Sequence, residues 1–375
     1  MSAMTTDLDD VEGLLDADRD GLLRAAAMAG AGVRAVSQAQ SEGVLDALAD
    51  LRPRALVIVT GSSTVARRAA DLVIATVAAR IDVPVVAGPA LPGWIGPLDV
   101  VVVVGDDAGD PALADAAMRS LRRRAEVVIA APIEGPLREA IAEQPIIDLA
   151  PRLSVDARFG FCRLTAALIA VCVGLTAVRM TPAPPDLAGL ADLLDEEAAA
   201  DHPAQESFHN QAKLLALRAV DRSVSWAGDT PGAAVVAAHA GAALFGVGGA
   251  VSHAGSETTL VRRLSESGAS RQAGEDLFYD PEFDSPRGAG VRGIVLTTAA
   301  RRWYVERRVS AFGDIDVVSE QPAESDSGPD LGGRAPVVDL GDAHSDGPAD
   351  LAAYLVLALR AELAAVFVRL MGEAD

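Results

Sequence analysis

The sequence predicts an α/β protein with two similar subdomains, each a doubly wound parallel sheet covered by helices on both faces. The first observation is an alternation of short apolar runs with segments of helical period between residues 55 and 150. The second is a return of the same alternation after residue 223. The third is the length of 375 residues, which suits two domains better than one.

The first half is predicted to begin with helices over residues 7–50. The apolar runs that follow are rich in β-branched residues and too short for buried helices, so they predict strands. These strands are expected at residues 56–60, 83–87, 99–104, 126–131 and 146–147. Helical periodicity between them predicts helices at residues 65–80, 111–124 and 136–143. In such a sheet the ligand is expected at the carboxyl ends of the strands.

The stretch around which this half is organised is the end of the first strand, where residues 60–64 read Thr-Gly-Ser-Ser-Thr. Gly61 permits a sharp turn, and Ser62, Ser63 and Thr64 can cap the following helix while facing a ligand. A helix N-terminus at this place favours anions, which predicts a site for a small anion or a sugar phosphate. A capped turn without a ligand remains the alternative.

A second ligand loop is predicted after the third strand, at residues 105–110. Its glycines, including Gly109, suit a loop that approaches a ligand closely. Asp106 and Asp107 are candidates for binding a cation or sugar hydroxyl groups, and a solvated turn is the alternative.

The second half is predicted to repeat the architecture. A long apolar helix at 157–178 precedes a proline-rich break at 181–185. We therefore expect N-terminal helices at 1–50, the first subdomain at 51–180, a linker with an acidic helix at 181–206, and the second subdomain at 207–375. Helices are expected from 207 to 219, from 233 and over 349–371. Strands are expected at 223–227, 292–298, 314–318 and 336–340.

Composition limits the partners. The net charge of −21 and the pI near 4.6 argue against nucleic acid and anionic membranes. The two cysteines lack metal-ligand spacing and suit a reducing, cytoplasmic compartment, and the acidic N-terminus lacks an apolar secretion segment. No metal or other cofactor is expected, because no phosphate-binding P-loop or zinc spacing occurs. Small-residue apolar helices at 157–178 and 233–252 predict a homodimer interface.

The order of these parts resembles the sugar isomerase (SIS) family, and within it the bifunctional phosphoglucose/phosphomannose isomerases and a divergent actinobacterial branch of the TobH type. The motifs are Asp18-Arg19-Asp20-Gly21-Leu22-Leu23 in an N-terminal helix, Gly61-Ser62-Ser63 after the first strand, Asn210-x-Ala212-Lys213 before the second subdomain, and Ala353-Tyr354-Leu355 in the last helix. Each motif is short, and together they extend over nearly the whole chain.

The resemblance implies metal-free interconversion of glucose-, mannose- and fructose-6-phosphate through an enediol, with serine and threonine hydroxyl groups holding the phosphate. The chain departs from the family pattern at three places. Carboxylates replace the second hydroxyl-rich loop at 105–110, and the family's glutamate and His-Asn-Glu motif have no match.

His253 and Glu257 are the nearest acid–base candidates. Their spacing of four residues would place them on one helix face. The family's arginine after a proline matches either Arg152 or Arg158, and Arg158 is the candidate for substrate binding. The sequence thus predicts a divergent phosphosugar isomerase. The alternative is a catalytically silent SIS protein that binds a sugar phosphate, a nucleotide sugar or a protein partner.

Overall fold

A computed structural model describes residues 7–220, 222–273, 291–321 and 345–372, with the side chains of 267–273 left out. The described residues form two compact units. The first-sheet unit comprises Asp18–His202 and Asp346–Arg360. The second-sheet unit comprises the described residues of Met1–Ala17, Pro203–Ser345 and Ala361–Asp375.

The first-sheet unit contains a five-stranded parallel sheet. Its strands are β1 (Ala55–Val59), β2 (Val85–Gly88), β3 (Asp99–Val104), β4 (Glu126–Ala130) and β5 (Ile147–Asp148). They lie in the order β2-β1-β3-β4-β5, with Leu56 opposite Val85 and Ala55 opposite Asp99. Every residue of β1 and β3 is buried, as the apolar runs predict for inner parallel strands.

The helices of this unit alternate with its strands and also precede and follow the sheet. They are α2 (Leu22–Ala27), α3 (Ala29–Ser41), α4 (Thr64–Val77), α5 (Pro111–Arg122), α6 (Gly135–Ile141), α7 (Phe161–Gly174) and α8 (Leu187–Ala200). Short α1 (Val11–Ala17) precedes them and belongs to the second-sheet unit. Although α8 falls in the expected linker region, it packs against α3 within the first-sheet unit.

The second-sheet unit contains a four-stranded parallel sheet. Its strands are β6 (Val224–Gly228), β7 (Ser252–Ser256), β8 (Arg292–Leu296) and β9 (Ile315–Val318), in the order β7-β6-β8-β9. Its helices are α9 (Gln211–Ala219), α10 (Pro231–Gly246), α11 (Glu257–Ala273) and α12 (Ala299–Val309). In both sheets the second strand along the chain lies at one edge, and the first, third and fourth strands follow it across the sheet; the first sheet adds a fifth. The predicted pair of doubly wound sheets is therefore confirmed.

Two differences from the sequence prediction concern single elements, and a third predicted element is untested. The sequence prediction does not include the edge strand β7, because its residues Ser-His-Ala-Gly-Ser are polar or small and only half-buried. The expected helix over 157–178 is shorter, since Gly174 and Leu175 end it. The expected strand at 336–340 lies outside the described residues.

The final helix is α13 (Leu351–Gly372), whose residues up to Arg360 are assigned to the first-sheet unit and whose residues from Ala361 are assigned to the second-sheet unit. Among the described residues, the helical stretch Pro348–Gly372 is the one long and apolar enough to cross a membrane by length and composition. However, 94% of its most apolar window is buried inside the protein, as in the core helix of a folded domain.

Candidate functional site

The order of the first sheet reverses between β1 and β3, and ligands of doubly wound sheets bind beside such switch points. Two loops meet here, residues 60–63 after β1 and residues 105–110 after β3. Gly61 has a φ of +55°, and a Cβ at this position would overlap Oδ2 of Asp110. Glycine is required at this turn because no side chain fits and because positive φ is costly for other residues.

The serine donors of the first loop are occupied by carboxylates of the second loop. Ser62 donates to Oδ2 of Asp110 from its backbone N–H at 2.6 Å and from its hydroxyl at 2.8 Å. The Ser63 hydroxyl donates to Oδ2 of Asp106 at 2.8 Å. The Ser63 Oγ also accepts from the Ala66 N–H at 3.1 Å and so caps α4. The protein thus supplies its own anions where the sequence predicts an external one.

Asp110 is fixed by a second role, since its Oδ1 accepts from the Ala112 N–H at 2.8 Å and caps α5. Burial raises the pKa of Asp110, but hydrogen bonds from Ser62, Ala112 and Leu113 outweigh burial, so the pKa lies below its ordinary value. The carboxylate therefore stays ionised at neutral pH.

The second sheet has the same kind of contact at its own switch point, between β6 and β8. Thr297 donates its hydroxyl to Oδ2 of Asp229 at 2.9 Å, and Arg301 donates to the same oxygen at 3.0 Å. Asp229 and Arg301 are almost fully buried, with 3% and 5% of their side chains exposed. Burial raises the pKa of Asp229 despite the nearby Arg301 charge.

A cavity of about 630 Å³ lies beside the first switch point, within the first-sheet unit. The loops that follow β3, β4 and β5 form it together with parts of α3 and α7. Its charged side chains are Asp106, Asp107, Glu134, Arg152, Asp156 and Arg163. The volume lies within the range of small-molecule sites, about 300–1,000 Å³.

Sequence reasoning missed three charged residues of the cavity lining, Glu134, Asp156 and Arg163, of which Arg163 is the cation. It belongs to the first turn of α7, and its guanidinium donates to the carbonyl oxygen of Ala130 at 3.2 Å, just where β4 ends. Burial lowers the pKa of Arg163 to about 10, with the Asp106 charge acting in the opposite direction, so the group stays cationic at neutral pH. Gly32 of α3 helps to place it, since a Cβ there would lie 3.3 Å from the Arg163 Cβ. The only sequence signal was an arginine inside an apolar helix.

The predicted substrate-binding residues separate into two groups. Asp106, Asp107 and Gly109 line the cavity, whereas the loop from Gly61 to Thr64 is not among its lining residues. Of the two candidate arginines, Arg152 lines the cavity and bonds Glu42 at 2.5 Å. Arg158 does not line it and instead pairs with Asp156, at 2.7 Å for the closer contact.

The predicted acid–base residues lie in the second-sheet unit and do not share a helix face. His253 is part of strand β7, and its Nδ1 lies 3.3 Å from the Ser225 hydroxyl. Glu257 is the first residue of α11 and forms two 2.8 Å hydrogen bonds with Arg308. The expected helix-face pair is wrong because a strand ends between the two residues. No group of three or more metal-binding side chains occurs among the described residues.

No protein-family model matches the sequence, and no curated protein matches it. Solved structures match its fold. Tagatose-6-phosphate ketose/aldose isomerase from Escherichia coli aligns with a TM-score of 0.57 at 12% identity, over 98% of this chain and 96% of that one. A glucose-6-phosphate isomerase like protein from Thermus thermophilus gives 0.52 at 14% identity, over 99% and 95%.

Glucosamine-6-phosphate deaminase from Thermotoga maritima gives a TM-score of 0.52 at 10% identity, over 94% of this chain and 95% of that one. At such identities the likeness shows the fold alone. The chain therefore has the two-sheet fold of the phosphosugar isomerases and related sugar-phosphate proteins.

Proposed function

We propose that this chain uses a sugar isomerase (SIS) fold to bind a carbohydrate derivative without isomerising hexose 6-phosphates. The observation that carries the proposal is the pair of serine–aspartate contacts at the first switch point, Ser62 with Asp110 and Ser63 with Asp106. The proposal places the chain nearest the divergent TobH-type branch rather than the bifunctional phosphoglucose/phosphomannose isomerases.

The physical argument concerns phosphate. A phosphate group needs hydrogen-bond donors, and the serine donors here already point at carboxylates 2.6–2.8 Å away. A phosphate that accepted hydrogen bonds from the same serine donors would lie within about 4 Å of a carboxylate. Like unit charges at that distance repel by about 1 kcal/mol in water and by about 4 kcal/mol near a protein surface. The loop from Gly61 to Thr64 is therefore a poor phosphate site beside the carboxylates of Asp106 and Asp110.

The acid–base residues support the same proposal. An enediol mechanism needs a base placed against the substrate carbon. Both carboxylate oxygens of Glu257 accept hydrogen bonds from the guanidinium of Arg308, so neither faces a ligand free of a partner. The residues that line the cavity include no histidine.

We place the ligand in the 630 Å³ cavity. Asp106 and Asp107 are proposed to accept hydrogen bonds from sugar hydroxyl groups, with Gly109 allowing close approach of the loop. Arg163 is proposed to donate to hydroxyl or ring oxygens from the opposite wall. Arg158 acts through Asp156, which it orients by a bidentate pair.

The test combines turnover and binding. Purified protein is supplied with fructose 6-phosphate, and glucose 6-phosphate and mannose 6-phosphate are detected with coupling enzymes. Calorimetry then measures binding of hexoses, amino hexoses and hexose 6-phosphates. We expect no turnover and saturable binding of at least one sugar. Arg163→Met should weaken that binding at least tenfold, and Arg119→Met, an exposed arginine of α5, should not.

Aldose–ketose isomerisation of hexose 6-phosphates is the second candidate, favoured by the fold likeness to two isomerases. Glu134 would be the base, because it lines the cavity and its carboxylate does not cap α6. Turnover that disappears in Glu134→Gln would establish this candidate and overturn the first. Absence of both turnover and binding would overturn both.

The proposal includes a cytoplasmic homodimer that needs no cofactor and contacts neither nucleic acid nor membrane. The net charge of −21 supports the last two points. The burial of the apolar α13 window supports the absence of a membrane span.

A further inference from the structure

The cavity contains more negative than positive side chains. Four carboxylates and two guanidinium groups line it. In a site of this size, the balance of charge decides which ligand charge is accepted, because desolvated walls strengthen electrostatic interactions.

One of the two guanidinium groups is neutralised by an ion pair within the protein. Arg152 bonds the Glu42 carboxylate at 2.5 Å, and this partner raises its pKa. Arg163 donates to the Ala130 carbonyl oxygen and interacts with the charge of Asp106. Arg152 is therefore neutralised by a carboxylate outside the cavity lining, and Arg163 supplies a single positive charge to the cavity.

Three of the four carboxylates, by contrast, form no ion pair among the described residues. Asp107 accepts the Gly109 N–H at 2.8 Å, and Asp106 accepts the Ser63 hydroxyl. Glu134 is the residue before α6, yet its side chain makes no capping hydrogen bond. Asp156 is the exception, since Arg158 neutralises it.

We propose that the cavity selects a polyhydroxylated ligand that carries an amine, such as an amino sugar, over its phosphorylated or uncharged counterparts. The inference rests on the proposed function and specifies its ligand class. An ammonium group donates three hydrogen bonds and supplies a positive charge that can pair with Asp106, Asp107 and Glu134. Arg163 supplies a donor for the hydroxyl oxygens of the same ligand.

The experiment uses three probes on one sugar scaffold. Glucosamine carries the charged amine, N-acetylglucosamine keeps the shape but loses the charge, and glucose 6-phosphate carries the opposite charge. Calorimetry on the full chain at low salt should show glucosamine binding at least tenfold more tightly than either of the others. Added salt should weaken glucosamine binding, because counterions screen the attraction.

Variants assign the effect to the cavity. The double variant Asp107→Asn with Glu134→Gln should bind glucosamine at least tenfold more weakly. Its affinities for glucosamine and for N-acetylglucosamine should therefore differ less than those of the wild type. The matched control is Asp115→Asn with Glu139→Gln, which removes two carboxylates from α5 and α6 outside the cavity lining. Thermal unfolding of each variant verifies that it is folded.

The outcomes separate the two proposals. Tighter binding of glucose 6-phosphate than of glucosamine, without turnover, would overturn the amine inference and uphold carbohydrate binding. Equal binding of glucosamine and N-acetylglucosamine would also overturn the inference. Failure of all three probes to bind would overturn both proposals.

Discussion

Asp110 contributes to the first switch point in two ways, as the acceptor for Ser62 and as the cap of α5. Gly61 makes the first contact possible, because any side chain there would occupy the space of the Asp110 carboxylate. Lys213, the sole lysine of the chain, is likewise a polar residue whose hydrogen-bond partners lie within the protein, here in the second-sheet unit. Its side chain is fully buried, and its Nζ donates to the carbonyl oxygens of Pro203 and Gln205, each at 2.7 Å.

The ionisation of Asp110 predicts a pH dependence. Its folded pKa lies below the ordinary value of 3.8, so on acidification the unfolded chain takes up the proton first. The stability that Asp110 contributes is therefore complete above about pH 5 and is lost as pH falls through 3.8 toward the folded pKa. Urea midpoints between pH 6 and pH 3 should fall less steeply in Asp110→Asn than in the wild type. An equally steep fall would contradict this assignment, and Asp115→Asn is the control.

Gly61→Ala should destabilise the fold by about 1–3 kcal/mol, since it combines positive φ with a steric conflict at Asp110. The measurement is the free energy of unfolding from urea denaturation. Gly93→Ala is the matched control, because a Cβ at Gly93 meets no atom within 4 Å. A change at Gly61 no larger than at Gly93 would show that the turn relaxes freely.

Lys213→Met should cost about 2–4 kcal/mol, because it leaves one buried and one partly buried carbonyl oxygen without their donor. The substitution keeps the volume and the contact with the Phe367 ring, 5.8 Å from the present ammonium. Thermal unfolding should show the loss. Arg67→Met, which removes a half-exposed i,i+4 pair with Asp71, should cost about 0.5 kcal/mol. Equal effects would show that the buried lysine contributes no more than a surface cation.

At the scale of elements, motifs that carry the family resemblance prove to be helix caps. Asp18 accepts from the N–H groups of Leu22 and Leu23 at the start of α2. Asn210 accepts from the Lys213 N–H at 2.8 Å and caps α9. Sequence motifs of this kind specify where a helix begins, so they carry information about the fold rather than about a ligand site.

The cap of α4 gives the prediction at this scale. Ser63→Ala removes both the cap on Ala66 and the donor to Asp106, so it should cost about 1–2 kcal/mol. Ser63→Thr keeps the hydroxyl and should restore most of that stability. Urea denaturation measures both variants. If threonine were as damaging as alanine, sterics rather than the hydroxyl would be responsible.

At the scale of the whole molecule, each unit repeats one strand order and fills its switch point with an aspartate that accepts from a hydroxyl group. The helices expected to form a dimer interface are mostly buried, including every residue from Phe161 to Cys172 except Arg163. Two large apolar residues at the end of α10 and just after it are exposed, Phe245 at 64% and Val251 at 74% of their surface. The homodimer stays a prediction.

We expect light scattering to give the mass of a dimer at micromolar concentration, with Phe245 and Val251 in the contact. The double variant Phe245→Ser with Val251→Ser should shift the protein toward the monomer, because it removes exposed apolar area. Leu98→Ser, at 71% exposed in the first-sheet unit, is the control. A wild-type monomer would contradict the prediction, and a dimer unchanged by the double variant would place the contact elsewhere.

The sequence by itself determined the fold, because its evidence is local. The all-valine run of β3, the caps at Ser63 and Asn210, and Gly61 act through neighbouring residues. Their periodicity and turn chemistry therefore predict elements and sheet type without knowledge of distant contacts. The edge strand β7 was missed because its polar residues lack that periodicity.

Only the tertiary structure decided the site. Ser62 and Asp110 are 48 residues apart, and Arg163 faces a cavity whose other walls come from four further segments. Whether a hydroxyl faces a ligand or the protein's own carboxylate depends on such distant neighbours. No local pattern records them, because hydrogen-bond partners and burial are set only when the chain folds.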